Sequence, residues 1–377
     1  MKKIGIVCEY NPFHNGHKYQ LEKIREKYSD AIIIVCMSSS FTQRGELSIL
    51  NKWDKTRCAL NNGVNIVLEL PYIYSTQSSD TFAEYAIKIL NEFKIDELCF
   101  GSEDDNLDIL YKVADTQINN KLFNQKVKEY LDDGINYPTA LNNALKDLIN
   151  VEITKPNDLL GVSYLKEIIK NKYDIKPFVI KRTNDYHDIE SDSNIVSASN
   201  IRERLIKNES IKNKVPFDVF EILKDKNLKN NYFELLKYKI ISEDDLNKYL
   251  DVDEGLNTRI KNQIYKSNNL EELIQNIKTK RYTYNKISRM LNHILCSFTK
   301  SENNIKDLEY IRILGFDKKG QDYLSKIKKN MNTPILNKYD TKKYKTLEIE
   351  KRVSDIYSLI YEDIIKQEIQ NKPIKKD

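Results

Sequence analysis

The sequence predicts an α/β fold, an open parallel-sheet domain followed by a mostly α-helical domain. Two observations carry this. Residues 1 to 200 alternate short apolar runs with stretches of helix formers, and the runs are apolar almost throughout, as strands covered on both faces must be. From about Asn200 onward the chain turns to long Lys- and Ile-rich segments with helical spacing and few strand signals. In chain order, strands are expected at Lys3 to Cys8, Ala31 to Met37, Asn65 to Leu70, Glu97 to Phe100 and Pro177 to Lys181. Helix formers fill Tyr19 to Tyr28, Lys52 to Asn61 and Phe82 to Phe93 between them, which favours parallel pairing. In such a sheet ligands bind beyond the carboxyl ends of the strands. Further helical patterns follow at Phe217 to Leu228, Tyr232 to Ile241, Leu270 to Ile277 and Ile287 to Phe298. The polar stretch Lys207 to Pro216 marks a junction and divides the chain into 1–205 and 206–377.

At 377 residues the chain has the length of two to three domains of roughly 150 residues. Its 40% hydrophobic and 31% charged residues suffice for a core and exclude broad disorder. The longest apolar run, Ala31 to Met37, falls short of the roughly 20 residues that cross a bilayer, and no signal-type apolar stretch opens the chain. A soluble, cytoplasmic protein with no membrane partner is expected. Five scattered cysteines, an odd number, read as reduced core thiols. The net charge of +5 hides an asymmetry: residues 1–200 carry 24 basic and 29 acidic side chains, residues 201–377 carry 37 and 27. A basic second half suits a polyanionic partner, although Lys-rich helices also serve solubility.

The segment Ile4 to Gln20, IGIVCEYNPFHNGHKYQ, is the most informative. An apolar strand ends at Glu9, a turn with Asn11 and Pro12 follows, and His14-Asn15-Gly16-His17 opens a helix. Free backbone N–H groups and the positive end of the helix dipole then point at a bound anion, and Gly16 permits close approach of a phosphate. His14 and His17 share one side of the first turn and can donate hydrogen bonds as charge builds during phosphoryl displacement. The same residues also fit a capped helix with two surface histidines, or a zinc site with Cys8 that lacks a spaced fourth ligand.

The HxGH element after the first strand resembles the signature of nucleotidylyltransferases and class I aminoacyl-tRNA synthetases. The longer string EYNPFHNGH is similar to the opening of the bacterial tRNA(Met) cytidine acetate ligase family. Further segments resemble that family in order: MSSSFTQRGE (37–46), LELP (68–71), FGSE (100–103), KPNDLLGVSYLK (155–166), IKRTNDYHD (180–188), SASNIR (197–202), RYTYNKISRMLNHIL (281–295) and LGFDKKGQ (314–321). The family commonly has MSGNF where this chain has Met37-Ser38-Ser39-Ser40-Phe41. The resemblance implies a Rossmann-like, HUP-type nucleotidylyltransferase sheet domain. It also implies a cytoplasmic enzyme that uses ATP and Mg2+ to make acetyl-adenylate from acetate, then acetylates N4 of the wobble cytidine of elongator tRNA(Met). No protein partner is implied.

Mapped onto this sequence, the family's ATP-binding loop covers Val7, Cys8, Glu9, Tyr10, Asn11, Pro12, Phe13, His14, Asn15, Gly16, His17, Lys18, Tyr19 and Gln20, with His14 and His17 catalytic. Gly101, Asn157, Arg182 and Ser199 join them at the nucleotide. Gly101 ends its strand, where a missing side chain admits the adenosine; by itself it also fits a plain turn. Asn157 also fits a helix N-cap, and Arg182 a surface ion pair. Ser197, Ser199 and Arg202 resemble a second, mobile phosphate loop, with Ser199 also fitting a cap. Gln43, Arg44 and Glu46 lie in a loop with no role of their own in the sequence.

From Leu273 to Ser301 the chain has no acidic residue and carries Lys278, Lys280, Arg281, Lys286 and Arg289, with Tyr282 and Tyr284 interleaved. These five basic residues are the candidate tRNA contacts, and the tyrosines fit either base stacking or core packing. Two other functions remain open on the residues alone: a small-molecule cofactor adenylyltransferase, and a non-catalytic RNA-binding protein with a nucleotide pocket.

Overall fold

The computed structural model describes residues 1–182, 193–226, 228, 230–253, 255–280 and 282–376. Five parallel strands form where the apolar runs predict them: β1 (Lys3–Cys8), β2 (Ile32–Ser38), β3 (Ile66–Leu70), β4 (Glu97–Ser102) and β5 (Lys176–Lys181). Two strands from the second half extend the sheet, β6 (Ile313–Asp317) and β7 (Ile374–Lys376), giving the order β5-β4-β1-β2-β3-β6-β7. Among the described strands of this sheet only the β3–β6 pairing is antiparallel. Neither added strand stands out in the sequence, because β6 holds five residues and β7 lies in the Lys-rich tail. Lysines on a short edge strand keep the sheet from pairing further, and Lys376 Nζ reaches the Leu60 carbonyl at 2.7 Å.

Side chains alternate across β2. Ile32, Ile34 and Cys36 enter one core layer, and Ile33, Val35 and Met37 the other, so the two-faced apolar run follows from a period of two. The first layer is covered by the helices Ser79–Glu92, Leu107–Asn119 and Pro156–Asn171 and by much of the helical second half. The second is covered by Asn15–Lys27, Lys52–Asn61, Ala198–Ile206 and Phe217–Leu223. All five cysteines are buried and unpaired. The last expected helix begins three residues early, at Tyr284, because the Thr283 hydroxyl caps it, and the helix expected to reach Leu228 stops at Leu223. Among the described residues no helix is long and apolar enough to cross a membrane.

A buried charge cluster fastens the second half to the sheet. Lys52, on the helix behind β3, reaches Glu69 of β3 at 2.5 Å, Glu350 at 3.0 Å and Glu368 at 3.1 Å. Arg312, just before β6, closes the set on Glu368 at 2.5 Å, and all five side chains are fully buried. Burial alone would discharge Lys52, but the three carboxylates outweigh it and hold the ammonium charged. Such a cluster adds little over an apolar packing, yet losing one member strands the others. Lys52→Met should therefore cost about 3–5 kcal/mol in urea unfolding, whereas removing the exposed Lys18 beside Glu22 should change stability by less than about 0.5 kcal/mol.

Candidate active site

The strand order reverses at β1, whose neighbours β2 and β4 lead to opposite sides, and a ligand crevice opens at such a point beyond the carboxyl ends. There the chain turns through Tyr10, at φ +46°, and a cis Asn11–Pro12 bond into the helix Asn15–Lys27. His14 is its N-cap. The Gly16 N–H donates to His14 Nδ1 at 3.0 Å, and the His14 N–H donates to His17 Nδ1 at 3.2 Å. Each imidazole thus accepts at Nδ1 and carries its proton on Nε2. The rings stack at 3.7 Å, and both border a cavity of about 820 Å³. Burial, followed by the Arg182 and Arg202 charges, lowers His14 to about 3; burial, His14 and Arg182 hold His17 well below the usual value. Both are neutral hydrogen-bond donors at physiological pH.

Gly16 leaves room for the His14 ring, since a Cβ there would lie 2.8 Å from His14 Cε1. The loop divides by position. Val7, Cys8, Glu9, Tyr10, Asn11, His14, His17 and Gln20 border the cavity, while Gly16 and Tyr19 border a smaller one of about 70 Å³ beside it. Phe13 is buried beneath, Lys18 is exposed, and the Asn15 amide ties down the carbonyls of Asn194 and Asn213. Among the described residues no three His, Cys, Asp or Glu side chains are placed to hold a metal, so Cys8, His14 and His17 do not form a zinc site.

The opposite wall comes from later segments. Gly101 lies inside β4 rather than ending it, and the Arg182 stem crosses it, 3.2 Å from where a Cβ would stand. Asn157 borders the cavity without capping its helix: Lys155 is the N-cap, and the Asn157 amide donates to Glu103 at 2.5 Å. Ser197 caps the helix Ala198–Ile206, accepting the Asn200 N–H at 3.1 Å, which leaves Ser199 in the first turn at the cavity wall. Arg202 holds the Asn11 carbonyl at 2.8 Å and the Glu46 carboxylate at 2.7 Å, binding this helix to the histidine loop and to the turn at 42–47.

That turn docks on the second half. Gly45, at φ +81°, takes a conformation that favours glycine, and a Cβ would meet Arg289 N at 2.7 Å. Gln43 gives its N–H to Glu9 at 2.6 Å. The Ser38-Ser39-Ser40 run is buried: Ser39 donates to Glu350 at 2.6 Å, and the carbonyls of Ser38 and Ser39 hold Lys55 Nζ at 2.7 Å each. Of the basic stretch, Lys286 and Arg289 border the cavity and Lys278 and Lys280 are exposed; Arg281 lies outside the described residues. Tyr282 is packed in the core, and Tyr284 lies half-buried against it with its hydroxyl donating to Glu271 at 2.6 Å. Sequence reasoning missed Lys55, Glu103 and Asp158, whose buried carboxylate accepts from Ser102 at 2.5 Å and from the Glu103 N–H at 3.2 Å.

The family profile for HIGH Nucleotidyl Transferase matches residues 1–372. Similar proteins include the tRNA(Met) cytidine acetate ligases of Oceanobacillus iheyensis, 36% identical over 100% of this chain and 98% of that one. That of Bacillus subtilis is 35% identical at the same coverage. This chain belongs to that family of HIGH nucleotidyl transferases. The fold agrees: Thermotoga maritima TmcAL superimposes with a TM-score of 0.86, at 27% identity, covering 100% of this chain and 99% of that one. The same TmcAL bound with alpha-thio ATP matches equally, at 28% identity.

A buried neutral histidine makes stability fall in acid. Unfolded His14 takes a proton near pH 6.5 and folded His14 only near 3, so its contribution is complete above pH 6.5 and is lost as the pH falls toward 3. Asparagine keeps the cap without titrating. Relative to native protein, His14→Asn should gain about 1.4 kcal/mol per pH unit between pH 6 and 5 in urea unfolding; a pH-independent difference would refute the assignment.

Proposed function

We propose that this protein condenses acetate with ATP to acetyl-adenylate and pyrophosphate, then transfers the acetyl group to N4 of the wobble cytidine of elongator tRNA(Met), forming N4-acetylcytidine. The observation that carries this reading is the pair of Nε2–H donors at His14 and His17 facing one cavity with Arg182 and the helix start at Ser197–Ser199, in a chain that matches such ligases along its whole length. Acetate oxygen attacks the α-phosphorus in line with the departing pyrophosphate. A neutral N–H donor strengthens its bond as the phosphate oxygens gain charge, and it needs no reorganisation. Among the described residues no acidic cluster waits for a metal, so Mg2+ would ride on the phosphates; when bound it neutralises charge there.

The cavity is at the roomy end of the 300–1,000 Å³ usual for small-molecule sites, which suits a nucleotide together with an inserted base. Lys286 and Arg289 extend its rim into the second half, with Lys278 and Lys280 exposed further along, and Arg281 beside them in sequence. This supports a division of labour near residue 206, with nucleotide chemistry before it and tRNA contacts after it.

Acetate-dependent exchange of labelled pyrophosphate into ATP tests the first step, and nucleoside analysis of tRNA after incubation with labelled acetate tests the second. His14→Ala should lower exchange about 10²–10³-fold, the usual loss for one transition-state donor. Exchange that needs a phosphorylated cofactor precursor and does not respond to acetate would instead mark a cofactor adenylyltransferase. Lys286→Ala should weaken tRNA binding and flatten its log–log salt dependence by about 0.7 for one lost phosphate contact.

A further inference from the structure

We propose that Glu9 is the base that takes the proton from the cytidine N4 amine during acetyl transfer. This inference rests on the acetyl-transfer reading above. Three carboxylates border the cavity among the described residues: Glu9, Glu46 and Asp80. Glu46 is tied to Arg202 at 2.7 Å, and Asp80 to Lys166 at 2.8 Å. Glu9 makes no ion pair among the described residues; its Oε1 accepts the Gln43 N–H at 2.6 Å, which fixes the carboxylate where β1 meets the histidine loop. The histidines beside it cannot accept a proton, because each Nδ1 is filled by a backbone N–H and each Nε2 already carries hydrogen.

The chemistry calls for a base at this place. The N4 lone pair is delocalised into the cytosine ring, so the amine becomes acidic only as its bond to the acetyl carbon forms. The N–C bond forms, the carbonyl C–O bond to phosphate breaks, and AMP leaves with that electron pair as a stable anion that needs no proton. One N4 proton passes to Glu9 and then to solvent as the product departs. Burial pushes the Glu9 carboxyl above its usual range, toward the value a base needs near neutrality, while the Gln43 amide bond opposes the shift. The other groups facing it are Glu46, which also raises it, Arg44 and Lys55, which lower it, and the buried Cys8 and Tyr164.

Glu9→Gln keeps the side-chain volume and an acceptor for the Gln43 amide. Two measurements separate the steps: acetate-dependent pyrophosphate exchange, and single-turnover transfer from enzyme-bound acetyl-adenylate to tRNA across pH. Transfer per adenylate should fall about 10²–10⁴-fold in the variant, while exchange falls far less. The acidic limb of the native transfer profile should vanish, and Glu9→Asp should restore part of the rate. Transfer within about twofold of native with the limb retained overturns the proposal. So does an equal loss in both steps, or a loss reversed by added Mg2+, which would make Glu9 a metal ligand. Native protein without any exchange overturns the adenylate reading itself, and this proposal with it.

Discussion

The donation of two backbone N–H groups into the Nδ1 atoms of His14 and His17 is the constraint on which the site depends. It uses two of the donors that a helix start leaves unpaired, and in doing so aims both Nε2–H groups at the cavity. Positive charge at the cavity must then come from elsewhere, since the imidazoles are held neutral. Arg182 and Arg202 face the pair from later segments, and the starts of the helices Asn15–Lys27 and Ala198–Ile206 add fixed dipoles. Neutral donors and permanent cations thus stand apart around one cavity, and the donors keep their hydrogen across physiological pH.

Distant parts of the chain fix that cradle in place. Arg202 joins the helix after residue 197 to the Asn11 carbonyl and to Glu46, and the 42–47 turn that bears Glu46 lies on the helix Tyr284–Leu295 through Gly45 and the Asn292 amide, 3.1 Å from the Gly45 carbonyl. The same turn presents the Gln43 N–H to Glu9. The basic helix Tyr284–Leu295 is therefore joined to the end of β1 through a short series of hydrogen bonds.

The sheet was legible wherever burial on both faces forced an unbroken apolar run: β1 matches its expected bounds, and β2, β3 and β5 match within a residue. β6 and β7 were not: Ile-Leu-Gly-Phe-Asp has a glycine inside a short run that ends in Asp, and the edge strand Ile-Lys-Lys has a single apolar residue. At the site, the HxGH spacing gave the right turn of helix, but one task of Gly16 was hidden: only the folded ring of His14 shows that the missing Cβ makes room for an imidazole. Ser199 and Asn157 were plausible caps by type, yet Ser197 and Lys155 hold those positions, since a cap is set by where the backbone turns. The Tyr282 and Tyr284 rings illustrate the same limit, as aromatic residues among lysines look alike in sequence whether they face the core or solvent.

The residues least legible were the buried lysines. Lys52 and Lys55 sit three apart on a helix whose neighbours give no sign that charge will be hidden, and both are fully buried. Glu69 was a clue, a carboxylate inside the otherwise apolar β3 that requires a buried cation. Lys55 has a different task. Its ammonium gathers the carbonyls of Glu9, Ser38 and Ser39, at 3.1, 2.7 and 2.7 Å, and so ties the carboxyl end of β1 to that of β2. Burial lowers it to about 8, and the Glu9 charge works against that loss. Lys55 and Glu9 are therefore linked: the ammonium gathers the strand ends, and the carboxylate that favours its charged form is the one those strand ends place at the cavity. Where the chain departs from the family pattern at Ser38–Ser40, Lys55 binds only backbone carbonyls, which every residue provides, whereas the Ser39 hydroxyl makes its own bond to Glu350 at 2.6 Å.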